Sequence, residues 1–155
     1  DLVERWDRER IAAPDQSRII LTHTNDEVRA LNELARDRLR EDGALGQDVS
    51  INAERGPRQF ATGDRLMFLR NDRELGIKNG SLGTMQSVSA QRMAVLLDDG
   101  RSVAFDTKDY AHFDHGYAAI LDAVWLRALP AIKCKLGRDN LQVMDSEARR
   151  AFEWS

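Results

Sequence analysis

The sequence is poor in the residues that build disulfides, metal sites and membrane spans. It has one cysteine, Cys134, among 155 residues, so no internal disulfide is expected, and no Cys/His cluster has zinc spacing. Its longest apolar runs are far shorter than the roughly 18 to 20 residues of a transmembrane helix. The first ten residues, DLVERWDRER, carry charges where a signal peptide would be apolar. These absences predict a cytoplasmic protein without a membrane partner.

Motifs of the common catalytic sites are missing as well. No GxxxxGKS/T loop is present to hold a nucleotide phosphate. The histidines, His23, His112 and His115, are scattered and form no Ser/His/Asp or Cys/His arrangement. His112 and His115 lack a third residue with which to bind a metal ion. We therefore predict no catalytic residue, no metal site and no cofactor bound by this chain alone.

The overall charge is close to neutral, but one stretch is basic. The 23 basic and 26 acidic residues give a net charge of −3, which creates no global positive field for nucleic acid. Between Arg55 and Lys78, however, six cations face three anions. Two interpretations remain open: chance clustering in an arginine-rich sequence that solvates one face, or a local surface that contacts nucleic acid.

The amino-terminal part has the pattern of a helix, a buried strand and a capped helix. Apolar residues recur at helical spacing in residues 1–10, and RIILT from Arg18 is apolar and β-branched throughout, as in a parallel strand covered on both faces. Thr24 and Glu27 have capping-box spacing. An apolar stripe then runs to a stop before Gly43: Val28, Leu31, Leu34, Ala35 and Leu39. Asn32 falls on this stripe, so it needs a hydrogen-bond partner, most simply in a neighbouring loop.

The middle of the chain changes to short strands and tight turns. Strands are predicted at 65–69, 82–88, 93–97 and 102–105, with a fifth near Phe113, and the Asp98–Arg101 segment is a hairpin turn with Gly100. Five short antiparallel strands indicate a small SH3-like barrel. The last part, from about residue 118 to 155, has helical spacing, with Asp145 or Ser146 as a possible cap. A buried parallel strand needs neighbours, and no second such strand is evident, so other sheet partners are missing or the packing is unusual.

Two places have residues suited to nucleic-acid contact. One is the loop His23-Thr24-Asn25, where a parallel strand ends and a helix begins with free amides that attract phosphate; simple capping is the competing interpretation. The other is the strand and loop from Phe60 to Gly83, in which cationic and polar side chains would follow a phosphate backbone: Arg65, Arg70, Arg73, Lys78 and Asn79. Phe60 or Phe68 would offer a stacking face there, unless both belong to the core.

These segments, in this order, resemble the helicase region of the Ti-type conjugative transfer relaxases, the TraA/MobL class, and more loosely RecD-like superfamily 1 helicases. The resemblance rests on LVERW, SRIILTHTNDEVRALNELAR, FATGDRLMFLRNDRELGIKNGSLGT and DHGYAA, and it covers about residues 1–119. It implies an α+β fold: a partial RecA-like β-α unit, an inserted five-stranded SH3-like β-barrel and a helical C-terminal tail. The implied domains are 1–58, 59–117 and 118–155.

The resemblance also implies roles and a partner. Thr22, Thr24 and Asn25 fall in a helicase motif near the junction of DNA and nucleotide, and Asn32 matches the family's LN element. In the parent family ATP and Mg are bound by parts that this sequence lacks. After Ala119 the family's Thr-Ile-His-Lys segment is replaced by ILDAV. A divergent ending, a frame change and a truncation each account for that difference, and the abrupt end of the resemblance favours the last two.

Two functions from different classes follow. The first is a fragment of a bacterial, cytoplasmic relaxase/helicase that binds or guides single-stranded DNA beside the remaining motor domains, without ATPase activity of its own. The second is a protein-interaction or structural module that docks to relaxosome proteins, or a truncated remnant. A free-standing barrel of the KOW type is a third interpretation, but it leaves the RIILT strand and the capped helix unexplained.

Overall fold

The computed structural model describes residues 2–14, 17–22, 24–120 and 143–145. These residues form a mixed α+β structure of two compact units. The first unit contains the described residues up to Arg38 and from Tyr117 onward, and the second unit is Leu39–Gly116. The predicted domain boundaries at 58/59 and 117/118 remain a prediction. Neither described helix has the length and apolarity that a bilayer span requires.

The first unit is built on a strand that is buried along its whole length. Helix α1 (Leu2–Ala12) precedes strand β1 (Arg18–Thr22), all five residues of which are buried. Helix α2 (Asn25–Glu41) follows and continues into the second unit. The predictions of an initial helix, a doubly covered strand and a capped helix are confirmed. Ile19, Ile20 and Leu21 put apolar side chains on both faces of the strand, which is why it forms an interior strand.

The second unit consists of a hairpin and a five-stranded antiparallel sheet. The hairpin pairs β2 (Val49–Ala53) with β3 (Gly56–Phe60). The sheet has the order β7-β6-β5-β4-β8, with these strands: β4 (Arg65–Phe68), β5 (Leu82–Val88), β6 (Arg92–Leu97), β7 (Ser102–Asp106) and β8 (Phe113–His115). All five predicted strands are present. The predicted turn after β6 is present as well, since Gly100 has a φ of 95° and Leu97 N donates to Arg101 O at 2.7 Å.

The sheet surrounds an aromatic core but is not closed among the described strands. Phe60, Phe68 and Phe113 have no exposed surface and lie in one cluster with Phe105 and Tyr110, with ring centroids 5.5 to 5.9 Å apart. Strands β7 and β8 are the two edges, and no pairing joins them. The observed fold is therefore an open five-stranded sheet, whereas a closed SH3-like barrel was predicted.

The first unit contains the parallel partner that the sequence pattern did not reveal. Strand β9 (Ala118–Ile120) pairs with β1 in parallel, Ile20 opposite Ala118, and strand β10 (Val143–Asp145) pairs with β1 in antiparallel orientation on its other side. The predicted helical tail is therefore wrong at 118–120 and 143–145, because these residues hydrogen-bond to β1 instead. The rest of that tail lies outside the described residues.

Asn32 joins helix α2 to the returning strand. Its Oδ1 accepts hydrogen bonds from Tyr117 N at 3.1 Å and from Ala118 N at 2.8 Å. Asn32 is almost fully buried. The Tyr117 ring in turn packs edge-on against Trp6 of α1, with centroids 5.5 Å apart. The prediction that this polar residue serves a structural bond is confirmed.

We expect Asn32→Leu to destabilise the chain by about 2 to 6 kcal/mol, because it leaves two buried N–H groups without their acceptor at roughly 1 to 3 kcal/mol each. Urea unfolding of the 155-residue chain measures the change. Glu33→Gln is the matched control, because the Glu33 side chain on the same helix is exposed and its ion pair with Arg29 is long at 3.9 Å. An unchanged midpoint in Asn32→Leu would mean that the two amides find other acceptors.

Candidate nucleic-acid interface

The loop between β4 and β5 carries most of the predicted contacts and is internally ordered. We call Arg70–Gly80 the basic loop. Asp72 and Ile77 form an antiparallel bridge, with Asp72 N to Ile77 O at 3.0 Å and Ile77 N to Asp72 O at 3.1 Å. Ile77 is buried in the aromatic core, and Gly76 has a φ of 69° at the turn. The buried Ile77 thus anchors the loop in the core, while the turn around Gly76 is exposed.

Side-chain caps complete the order of the basic loop. Asn71 Oδ1 accepts from Asn79 N at 2.7 Å, and Asp72 Oδ1 accepts from Leu75 N at 3.0 Å. Lys78 N donates to Ser81 Oγ at 3.2 Å. Because these hydrogen bonds, some within the loop and some to its neighbours, satisfy polar backbone groups of the loop, less conformational freedom remains to be lost when a ligand binds.

Three predicted side chains project from this ordered loop. Arg73, Lys78 and Asn79 are all exposed. Over the described ranges of the chain, neither Arg73 nor Lys78 takes part in an ion pair, whereas most arginines of the second unit do. Uncompensated, exposed cations on an ordered backbone are the groups that attract phosphate most effectively.

Arg65 is placed differently from the loop cations. It donates two hydrogen bonds to the Asp98 carboxylate, each 2.8 Å long, and one to Thr84 Oγ1 at 3.0 Å. Only 17% of its side chain is exposed. A guanidinium engaged in this two-pronged geometry is a structural group that joins β4 to the β6–β7 turn. DNA binding by Arg65 remains an untested prediction.

Arg70 lies at the edge of a small polar cluster. Its Nη1 is 3.4 Å from His112 Nε2, and His112 Nδ1 contacts the Glu54 carboxylate. The hydrogen bond from His112 lowers the pKa of Glu54 below its ordinary value. The Tyr110 hydroxyl donates to Arg70 O at 2.7 Å, and burial raises the pKa of Tyr110 to about 12. Arg70 is exposed, but Glu54 offsets part of its charge.

The remaining cations of the basic stretch are paired in the second unit. Arg58 Nε lies 3.1 Å and Arg55 Nη1 3.6 Å from the carboxylate of Asp114. Asp114 is mostly buried and also accepts from His115 N at 2.8 Å. Of the six cations counted in the sequence, Arg55, Arg58 and Arg65 therefore have acidic partners from distant parts of the chain, and Arg70, Arg73 and Lys78 make up the exposed basic surface.

The two phenylalanines considered as stacking faces are core residues. Phe60 and Phe68 have no exposed surface, and each packs against other rings of the second unit. A base cannot reach either ring without unfolding the sheet. Of the two interpretations of Phe60 and Phe68, membership of the core is therefore the one confirmed.

In the first unit, the predicted residues after β1 cap helix α2. Thr24 Oγ1 accepts from Glu27 N at 3.1 Å, as the capping box predicts, and the hydroxyl of the buried Thr22 donates to the Glu27 carboxylate. Asn25 is exposed at the start of α2. The carboxylate suits the positive end of the helix dipole, but it also places an anion where a phosphate was expected. DNA contact by Thr22, Thr24 and Asn25 remains an untested prediction.

The structure brings one further residue to the basic loop, which no sequence pattern indicated. Arg101 Nη2, on the β6–β7 turn, donates to Gly76 O at 2.8 Å. No local motif signals such a contact, because the two residues are 25 positions apart. Within the described part of the chain, no group of three His, Cys, Asp or Glu side chains is placed to bind a metal ion.

The comparisons with known proteins agree with this architecture. The chain is similar to the solved structure of Pif1 helicase from Bacteroides in complex with ADP-AlF3 and ssDNA. The match covers 66% of this chain and 30% of the Pif1 chain, with a TM-score of 0.50 and 19% sequence identity. At this level of identity the likeness shows the fold alone. No protein-family model matches the chain.

Proteins that are similar in sequence identify the family more specifically than the similar structure does. The chain is 36% identical over 124 residues to the probable conjugal transfer protein TraA of Sinorhizobium fredii, and 34% identical over 125 residues to the conjugal transfer protein TraA of Agrobacterium fabrum. These matches cover 78% and 77% of this chain but only 11% of each relative. The chain is thus homologous to a segment of the TraA conjugal transfer proteins, which confirms the resemblance seen in the sequence.

We expect Arg65→Gln to lower the free energy of unfolding by about 1 kcal/mol, because it breaks a partly buried, two-pronged ion pair. Asp98→Asn is expected to produce a similar loss, and the double variant should cost less than the sum of both. Lys78→Gln is the control, with a change within about 0.5 kcal/mol. Equal stability of the Arg65 and Lys78 variants in chemical unfolding would contradict the assignment of Arg65 to the scaffold.

Proposed function

We propose that the chain acts in conjugative DNA transfer as part of a relaxase/helicase of the TraA class, and that its basic loop guides single-stranded DNA. The observation that supports the proposal most directly is the ordered loop with exposed cations, Arg70, Arg73 and Lys78, two of which have no acidic partner within the described residues. On this proposal the setting is the bacterial cytoplasm. The remaining motor domains or relaxosome proteins are the partners.

The proposed mechanism is electrostatic. A single strand carries condensed counterions, and each lysine or arginine that replaces one gains the entropy of its release. Such binding follows the phosphate backbone and is independent of base sequence, which suits a protein that must accept a strand of any sequence. With the phenylalanines in the core, base stacking by Phe60 and Phe68 has no part in the mechanism. Affinity should then depend on salt more than on base composition.

ATP chemistry is assigned to other parts of the relaxase/helicase on this proposal. The sequence has no GxxxxGKS/T loop, and the parent family uses ATP and Mg. The five-stranded sheet is proposed to correspond to the family's SH3-like insertion. The second unit would then present the basic loop to DNA as one folded insertion.

We expect the 155-residue chain to bind a labelled single-stranded oligonucleotide with a log–log salt slope of about −2, since three phosphate contacts each contribute about −0.7. Arg70→Ala, Arg73→Ala and Lys78→Ala should each reduce the magnitude of that slope by about 0.7. Fluorescence anisotropy across a salt series measures both affinity and slope.

Lys108→Ala is the matched control for the salt titration. Lys108 is exposed, lies in the same unit and has no ion pair over the described ranges, so the variant removes one charge outside the basic loop. Its slope should equal that of the unaltered chain. Absence of salt-dependent binding, or an equal loss in Lys108→Ala, would refute guidance of DNA by the basic loop.

A protein-interaction module is the second candidate, and exposed apolar side chains favour it. Leu34 on the stripe of α2 is 51% exposed, and Ile11 of α1 is 63% exposed. On this second proposal, these two side chains would lie in the contact with the partner protein. We expect a self-associating module to show a mass that rises with concentration in sedimentation velocity, and Leu34→Gln to reduce that rise. A constant monomer mass together with salt-dependent DNA binding would favour the first function.

A further inference from the structure

The β6–β7 turn reaches across the second unit to the basic loop. Arg101 Nη2 donates to Gly76 O at 2.8 Å. Gly76 closes the turn of the loop, since its N–H donates to Arg73 O at 3.2 Å, and it precedes the buried anchor Ile77. Arg101 therefore donates a hydrogen bond to the backbone of the turn, between the exposed Arg73 and Lys78.

Asp99 orients the Arg101 guanidinium for this contact. Arg101 Nε donates to Asp99 Oδ2 at 2.9 Å, and Arg101 N donates to Asp99 Oδ1 at 3.0 Å. The backbone hydrogen bond, followed by the guanidinium, lowers the pKa of Asp99 below its ordinary value. A guanidinium is a rigid planar fork, so fixing Nε on the carboxylate also fixes the direction in which Nη2 points.

The Arg101 guanidinium lies directly against the backbone of Gly76. A Cβ built on Gly76 would lie 2.7 Å from Arg101 Nη1, closer than two such atoms can approach. The positive φ of 69° already favours glycine at this turn. Because Arg101 Nη1 is the far end of a flexible side chain, the requirement for glycine comes from the backbone conformation, and the distance shows only how closely Arg101 approaches the turn.

We propose that Arg101, oriented by Asp99, is a positioning residue that holds the basic loop in the conformation in which Arg73 and Lys78 meet a single-stranded phosphate backbone. This inference rests on the proposed function of the loop. Arg101 acts through Gly76 O rather than by contacting phosphate, because its charge is offset by Asp99. Loss of the contact would leave every loop cation in place but require the loop to be ordered anew on binding, which weakens affinity.

Asp99→Asn tests the proposal by the sign of its effect. The variant removes a negative charge beside the basic loop, so electrostatics alone would tighten binding to DNA. A positioning role has the opposite consequence: affinity for the labelled oligonucleotide falls roughly two- to fivefold, the range set by one exposed charge pair, with the salt slope unchanged. Asp109→Asn is the control, because it removes an exposed acid of the same unit outside both turns and should not weaken binding.

Arg101→Ala and Arg101→Lys separate positioning from direct contact. Both should weaken binding with an unchanged salt slope, since lysine keeps the charge but cannot engage Asp99 and Gly76 together. A slope reduced by about 0.7 in Arg101→Ala would mean that Arg101 contacts a phosphate, and equal or tighter binding by Asp99→Asn would also overturn the proposal. Unchanged thermal unfolding of each variant is the check that the fold persists.

Backbone order parameters at Gly76 and Lys78, measured by NMR relaxation, distinguish failure of this inference from failure of the proposed function. They should fall in Asp99→Asn and stay unchanged in Asp109→Asn. If the unaltered chain binds no DNA, the proposed function fails and the DNA role of Arg101 fails with it, even where the order parameters fall. If the unaltered chain binds DNA and Asp99→Asn leaves both affinity and order unchanged, only the positioning role is refuted.

Discussion

A side-chain amide in helix α2 holds the first unit together. Asn32 Oδ1 accepts the N–H groups of Tyr117 and Ala118, which lie 85 and 86 positions farther along the chain. Parallel strands need a long crossover, and the crossover from β1 to β9 contains α2 and the entire second unit. Asn32 satisfies two buried donors where β9 begins, at the residue that pairs with Ile20 of β1.

Cations of the second unit divide into two groups with different physical roles. Arg58 and Arg65 are mostly buried and share carboxylates with other elements, so they connect strands and turns. Arg73 and Lys78 sit on an ordered loop and point to water. The same residue types thus serve as scaffold or surface, depending on whether an acidic side chain lies within hydrogen-bonding distance. At physiological salt, screening over about 8 Å makes that local arrangement more important than net charge.

Local patterns predicted the regular elements well where they were long or strongly marked. The buried run of β1, the capped α2 and the five strands of the sheet were all found, because hydrophobic period, capping residues and turn glycines act within a few positions. The β2–β3 hairpin was missed, since Ile51 is the one fully buried residue of β2 and β3 begins with Gly-Pro, a poor strand signal. Strand β9 was missed because three residues are too few to show a period.

What the sequence by itself determined was α1, β1, α2 and the five strands of the sheet, the structural need of Asn32 for a partner and the kinship with TraA, because each depends on local residue order. Only the tertiary structure decided that Arg65 is bound to Asp98, that Phe60 and Phe68 are core, and that Arg101 meets Gly76. Those outcomes depend on which side chains from distant positions come within about 3 Å of one another. Such distances follow from the packing of whole strands and turns, and no short stretch of sequence contains them.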